Sequence, residues 1–202
     1  MSTLAALERI GVVPVITIDD AAQAVDLAHA LTAGGIPCAE ITLRTPAGLA
    51  AIAAIAAALP DFEVGAGTVL TPSQVEETVD AGARFIVSPG FDDEVVDRAR
   101  ELGALPVPGV ATASEVQRAL RAGVDHLKLF PAGALGGRMM IDALAAPFPQ
   151  VRFLPSGGVT ALNAAQYLSS PAVFAVSGSW MAPRDLVAAG DWAEITRLSE
   201  VR

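Results

Sequence analysis

Basic side chains are scarce in this chain. It carries 13 Lys and Arg against 22 Asp and Glu, a formal net charge of −9. That balance argues against a broad surface for nucleic acid or an anionic membrane. Any site for an anionic ligand must therefore rest on a few locally placed groups. Cysteine is scarcer still. The single Cys38 excludes an intramolecular disulfide and a cysteine-only metal site. It falls in an apolar run, where a small buried side chain is the expected role. The two histidines, His29 and His126, stand far apart in the chain, which argues against a His-based metal cluster. A basic leader with a signal-type cleavage site is missing from "MSTLAALERIGVVPV". Long apolar runs are missing too: "AGLAAIAAIAAAL" is too short to span a bilayer and has a proline close to each end. These absences predict a soluble, cytoplasmic protein with no metal and no cofactor.

Apolar residues are plentiful, at 52% of 202 residues, while charged residues are only 17%. Such a chain can build a sizeable core and is not of disordered composition. Much of the apolar content is alanine, which suits closely packed helices. No linker or shift in composition divides the chain, so residues 1–202 read as one domain.

Eight short apolar runs recur, each followed by a turn and then a helical pattern. They are "VVPVIT", "CAEITL", "FEVGAGT", "RFIVSP", "ALPVPG", "HLKLFP", "VRFLPS" and "VFAVSG". Between them, segments such as "PSQVEETVDAGA" and "ASEVQRALRAGVD" repeat apolar residues every three or four positions. Thr45-Pro46 and Thr71-Pro72 each place a capping residue before a proline suited to the first helical position. Gly34, Gly82, Gly103 and Gly123 follow helical patterns where a left-handed cap is expected. Strands alternating with helices imply parallel pairing. Eight units predict a compact (β/α)8 TIM barrel with a short N-terminal helix. An open doubly wound sheet is the competitor, but no GxGxxG follows the first strand.

In a parallel barrel, reacting groups sit at the C-terminal ends of strands. Period two in "AEITLR" puts Glu40, Thr42 and Arg44 on one face and Ile41 and Leu43 on the other. The aliphatic pair suits the helix side, so the polar set points inward. The same parity in "HLKLF" groups His126, Lys128 and Phe130. Glu40 and Lys128 can thus project into one lumen from different strands. A structural buried ion pair is one account of them, although such a pair is weak support for stability. Catalysis is another: a desolvated lysine is driven toward its neutral form and can attack a carbonyl, while a carboxyl group shuttles protons. His126 reads as a packed core or rim residue, His29 as a helix-surface group, and Trp180 and Trp192 as packing residues.

"PSGGV" (155–159) and "SGSW" (177–180) end the seventh and eighth strand units. Glycines let backbone N–H groups approach an anion, and barrels often bind phosphate with these two loops. "GAGT" (65–68) leaves room near the mouth, with Thr68 as a hydrogen-bonding group, and Pro89 in "SPG" would form a rigid wall. On the residues alone, a sugar-phosphate isomerase or epimerase using Glu40 and Lys128 without a covalent intermediate stays open. So does an assembly scaffold whose apolar helix meets a neighbouring subunit.

The stretches "VVPVI", "EITLRT", "VGAGTVL", "SPG", "KLFPA", "FLPSGGV" and "GSW" run in order from residue 12 to residue 180. With them the chain resembles the bacterial 2-keto-3-deoxy-6-phosphogluconate (KDPG) aldolases, class I enzymes that also commonly cleave 4-hydroxy-2-oxoglutarate. The resemblance implies that Lys128 forms a Schiff base and that Glu40 is the general acid and base. It implies that Arg44 and Thr68 hold the pyruvyl end, Pro89 and Phe130 wall the pocket, and Ser156 lies near C4. Gly157, Gly158 and Ser179 would take the phosphate. The implied partner is a phosphorylated ketoacid, cleaved to pyruvate and glyceraldehyde 3-phosphate, and the implied assembly is a homotrimer. The chain departs from the family pattern at Gly133, Ser156 and Ser177, where Glu, Thr and Gly are frequent.

Overall fold

Apolar runs bounded by turns form the strands, and the amphipathic stretches between them return the chain to the start of the next strand. The computed structural model describes residues 2–200. Helix α1 (Thr3–Ile10) opens the chain, with the Ser2 hydroxyl accepting from the Ala5 N–H. The strands are β1 (Val12–Ile16), β2 (Cys38–Thr42), β3 (Glu63–Gly67), β4 (Phe85–Val87), β5 (Leu105–Val107), β6 (Gly109–Val110), β7 (His126–Leu129), β8 (Arg152–Pro155) and β9 (Val176–Gly178). The helices that follow are α2 (Ala24–Ala33), α3 (Gly48–Ala58), α4 (Pro72–Asp80), α5 (Asp93–Glu101), α6 (Ala113–Arg121), α7 (Arg138–Ala145), α8 (Ala164–Leu168), α9 (Arg184–Ala189) and α10 (Trp192–Ser199).

Every pairing is parallel. Six strands run in the order β5-β4-β3-β2-β1-β9, and three in the order β6-β7-β8. Two isolated parallel bridges, Phe153↔Val173 and Ser156↔Ser177, tie the β8 segment to the β9 segment. Strands β2 and β3 are buried along their whole length, as expected of parallel strands covered on both faces.

Three local expectations need correction. The run "ALPVPG" is not one strand: it breaks at Pro108 into β5, which pairs with β4, and β6, which pairs with β7. Proline has no N–H to give to a ladder. Its carbonyl is still used, accepting from the Lys128 N–H at 2.9 Å. Thr71 caps α4 with Pro72 inside its first turn, but Thr45-Pro46 does not start α3. The Thr45 hydroxyl instead donates to the Ile18 carbonyl, and the helix begins at Gly48. Finally, Gly82, Gly103 and Gly123 are left-handed, whereas Gly34 has φ −79° and Gly35 takes the left-handed position. Gly34 serves packing: a Cβ there would fall 2.4 Å from the Ser199 Cβ, so α10 could not approach α2.

The apolar helix α3 buries Ala51, Ile52 and Ile55 and turns Ala50, Ala53, Ala57 and Ala58 outward. Among the described residues no helix is long and apolar enough to cross a membrane.

Candidate active site

Strand parity brings two charged side chains into the dry interior. Glu40 on β2 and Lys128 on β7 lie 88 positions apart in sequence, yet Lys128 Nζ is 3.2 Å from Glu40 Oε1. Their side chains are 0% and 6% exposed. The packing makes room for the carboxylate. A Cβ at Gly67 on neighbouring β3 would fall 2.2 Å from Glu40 Oε1, so glycine is what lets the Glu40 side chain lie there. Glu40 Oε2 is buried and accepts no hydrogen bond from the described residues. A buried acceptor left unpaired is expensive, and here it is free to bind whatever enters. Lys128 Nζ also sits 5.5 Å from the centre of the Phe130 ring, within reach of a cation–π contact.

Phe130 connects this pair to open space. It lines a cavity of about 490 Å³ together with Arg44, Ser156, Gly157, Gly158 and Ser179. Six residues singled out from the sequence thus converge on one cavity at the C-terminal ends of the strands, with Lys128 and Glu40 beside it rather than in its lining. Arg44 lies just beyond β2 and donates from Nε to Thr68 Oγ1 at 3.2 Å. Thr68 itself is outside the lining. It has φ 61°, which no other described non-glycine residue shares as a positive value. For a β-branched residue this is a strained backbone, and strain of about 1–3 kcal/mol persists where surrounding structure imposes it. Pro89 is exposed and also outside the lining. Its carbonyl packs on Gly109, where a Cβ would fall 2.1 Å from the oxygen.

Ser156 is buried at 5% exposure and bridges Ser177, whose Oγ is buried with no hydrogen-bond partner among the described residues. Gly133 lies against Gly157 and Gly158. His126 sits away from the cavity, with Nδ1 2.7 Å from Asp125 Oδ1 and its ring edge-on to Phe174. His29 is exposed on α2. Cys38 is fully buried, and burial, with Glu63 adding to it, pushes its thiol far above the ordinary range, so it is an unreactive packing group. Among the described residues no three His, Cys, Asp or Glu side chains converge as metal ligands.

The family described as KDPG and KHG aldolase matches residues 4–198. A 2-dehydro-3-deoxy-phosphogluconate aldolase of Treponema pallidum is 48% identical over 195 residues, covering 96% of this chain and 93% of that one. The KDPG aldolase of Legionella pneumophila, with pyruvate captured at low pH as a covalent carbinolamine intermediate, superposes with a TM-score of 0.95 at 41% identity. It covers 99% of this chain and 97% of that one. The aldolase of Zymomonas mobilis, with 3-phosphoglycerate, gives a TM-score of 0.89 at 41% identity, covering 98% of this chain and 93% of that one. The chain belongs to the KDPG and KHG aldolase family.

As an aldolase of this family, it carries site residues that the sequence reading did not single out. Arg184 and Thr17 line the cavity, and Gly67 and Gly109 admit close neighbours. Arg184 had a faint signal: it is the basic residue directly after "SGSWMAP", in a chain with few cations. Gly67 had one as well, as the second glycine of "GAG" beside a polar strand.

Proposed function

We propose that the protein is a class I aldolase. It cleaves 2-keto-3-deoxy-6-phosphogluconate to pyruvate and glyceraldehyde 3-phosphate, and also 4-hydroxy-2-oxoglutarate to pyruvate and glyoxylate. The observation that carries this is the dry Lys128–Glu40 contact at 3.2 Å, beside a cavity with glycine turns and two arginines. The closed (β/α)8 barrel belongs to the same reading. Supporting it, β9 pairs with β1, bridges join the β8 and β9 segments, and only Pro108 separates β5 from β6. The homotrimer and the cytoplasmic setting that the resemblance implies are carried with it.

The chemistry follows from the positions. Lys128 Nζ attacks the C2 ketone, giving a carbinolamine, and Glu40, next to Nζ, takes up the proton the nitrogen loses. Glu40 hands that proton to the carbinolamine hydroxyl, which leaves as water; this restores the carboxylate and leaves an iminium ion, an electron sink beside C3. A carboxylate oxygen of Glu40 then removes the C4 hydroxyl proton. Electrons of the C3–C4 bond move into the iminium, forming an enamine, and the aldehyde leaves. Glu40 returns its proton to C3, and water hydrolyses the new iminium to pyruvate and free Lys128. Arg44 lines the cavity and is hydrogen-bonded to Thr68, which supports it as the cation for the ketoacid carboxylate. Gly157, Gly158 and Ser179 line the cavity, and backbone N–H groups of such glycine turns suit a phosphate.

Pyruvate release from KDPG, followed with a coupled dehydrogenase, tests the reading. The purified protein should release pyruvate at the same rate with and without excess EDTA. No release, or a rate abolished by the chelator, would contradict a metal-free Schiff-base aldolase.

A further inference from the structure

Two guanidinium groups line the cavity, and only Arg44 has a place in the reaction as derived. The other, Arg184, begins α9 just past the loop that follows β9. It lines the same cavity as Gly157, Gly158 and Ser179. Its partner is Asp19, which follows β1. The two are 165 positions apart in sequence, but β1 pairs with β9, so the turns at their ends meet. The contact is bidentate: Arg184 Nε donates to Asp19 Oδ2 at 2.7 Å, and Nη2 to Oδ1 at 2.6 Å.

We propose that Arg184 determines specificity for phosphorylated substrates, exchanging the Asp19 carboxylate for the terminal phosphate when substrate enters. This rests on the aldolase reading above and assigns one further residue within it. The guanidinium fork that fits two carboxylate oxygens also fits two phosphate oxygens. A phosphate near neutral pH carries more charge than a carboxylate, so exchange strengthens the contact. Asp19 is cheap to displace, because the side chains are 63% and 48% exposed and an exposed pair contributes little to stability. Until then Asp19 prevents an unpaired cation from standing at the mouth. The Arg184 hydrogen bond holds its carboxyl below the ordinary range, so it remains an anionic counter-ion. A substrate ending in a plain carboxyl group near C4, such as 4-hydroxy-2-oxoglutarate, is shorter than KDPG and carries no phosphate to offer Arg184. It gains nothing from the exchange. The competing account is structural: the pair merely clasps the β1 turn to α9.

The test is the ratio of kcat/KM for KDPG to kcat/KM for 4-hydroxy-2-oxoglutarate, measured in wild type, Arg184→Ala, Arg184→Lys and Asp19→Asn. Loss of one charge-assisted contact predicts a fall in the ratio of about tenfold or more in Arg184→Ala. Arg184→Lys, which keeps the charge and loses the fork, should fall between. Asp19→Asn should keep or raise the ratio. The inhibition constant for inorganic phosphate should rise in Arg184→Ala in parallel. A ratio in Arg184→Ala within threefold of wild type overturns the proposal. So does an equal fall for both substrates with a lower unfolding midpoint, the signature of a clasp. Should Arg184→Ala not fold, Arg184→Gln is read by the same criterion. A wild-type protein that releases pyruvate from neither substrate defeats the aldolase reading, and this proposal with it. Activity on both substrates with an unchanged ratio defeats this proposal alone.

Discussion

Two ion pairs join parts of this chain that are far apart in sequence, and what separates them is water. Lys128–Glu40 bridges β7 and β2 with its side chains 6% and 0% exposed, while Arg184–Asp19 bridges the turns after β9 and β1 at 63% and 48%. The inner pair has the longer contact, 3.2 Å against 2.6 Å, so contact distance does not explain its importance. Burial does. Two charges removed from water lose several kcal/mol of solvation each, which their attraction does not reliably offset. An arrangement that expensive is kept for the chemistry of a desolvated amine and its proton acceptor. The outer pair loses little solvation and gains little, so it is suited to being opened and remade. On the proposed mechanism, the interior serves reaction and the rim serves exchange.

The comparison is broken most severely at the interior. Lys128→Ala should abolish pyruvate release, since it removes the only lysine in the chain. Glu40→Gln should lower kcat by about 10²–10⁴-fold, the usual loss for a positioned acid–base group, while leaving measurable turnover. Wild-type rates in either variant, by the coupled pyruvate assay, would remove that residue from the reaction. Gly67→Ala changes no reacting group, but its Cβ would fall 2.2 Å from Glu40 Oε1 and push the carboxylate aside. Misplacement by about 1 Å costs on the order of 10²-fold, so kcat should fall to that extent. A kcat within twofold of wild type would show that Glu40 has no fixed position to lose. Arg44→Ala at the rim should chiefly raise KM, with kcat less affected; an unchanged KM would exclude Arg44 from substrate binding.

The smallest effect sharpens the contrast from the side of stability. Replacing the inner pair together, as Lys128→Met with Glu40→Leu, should leave the inactive protein as stable as wild type or more stable by about 1–4 kcal/mol. Urea denaturation measures it. A clear loss of stability in the double variant would mean that the pair is structural.

The interior of the site was the part most legible in the sequence. Alternation in "AEITLR" and "HLKLF" is a local property, and it correctly placed Glu40 and Lys128 on inward faces. The eight apolar runs were equally local. What the sequence concealed depends on contacts made across the fold. Thr45 matches the capping pattern of Thr71, but its hydroxyl is claimed by Ile18. Gly34 resembles the other cap glycines, but it is there because α10 lies against α2. Arg184 could join the site only once β1 was known to pair with β9, which brings Asp19 beside it. Pro108 was visible, but nothing local said whether it would end a strand or sit within one.

The central claim, a covalent bond between the Lys128 amine and a ketoacid, is tested most directly by borohydride reduction in the presence of pyruvate, followed by peptide mass mapping. The account predicts a stable pyruvyl adduct on the peptide containing Lys128, absent without pyruvate and absent from Lys128→Ala. Lys128 is the single lysine of the chain, so an adduct on the N-terminal amine alone, or no adduct in a protein that still cleaves KDPG, would contradict it.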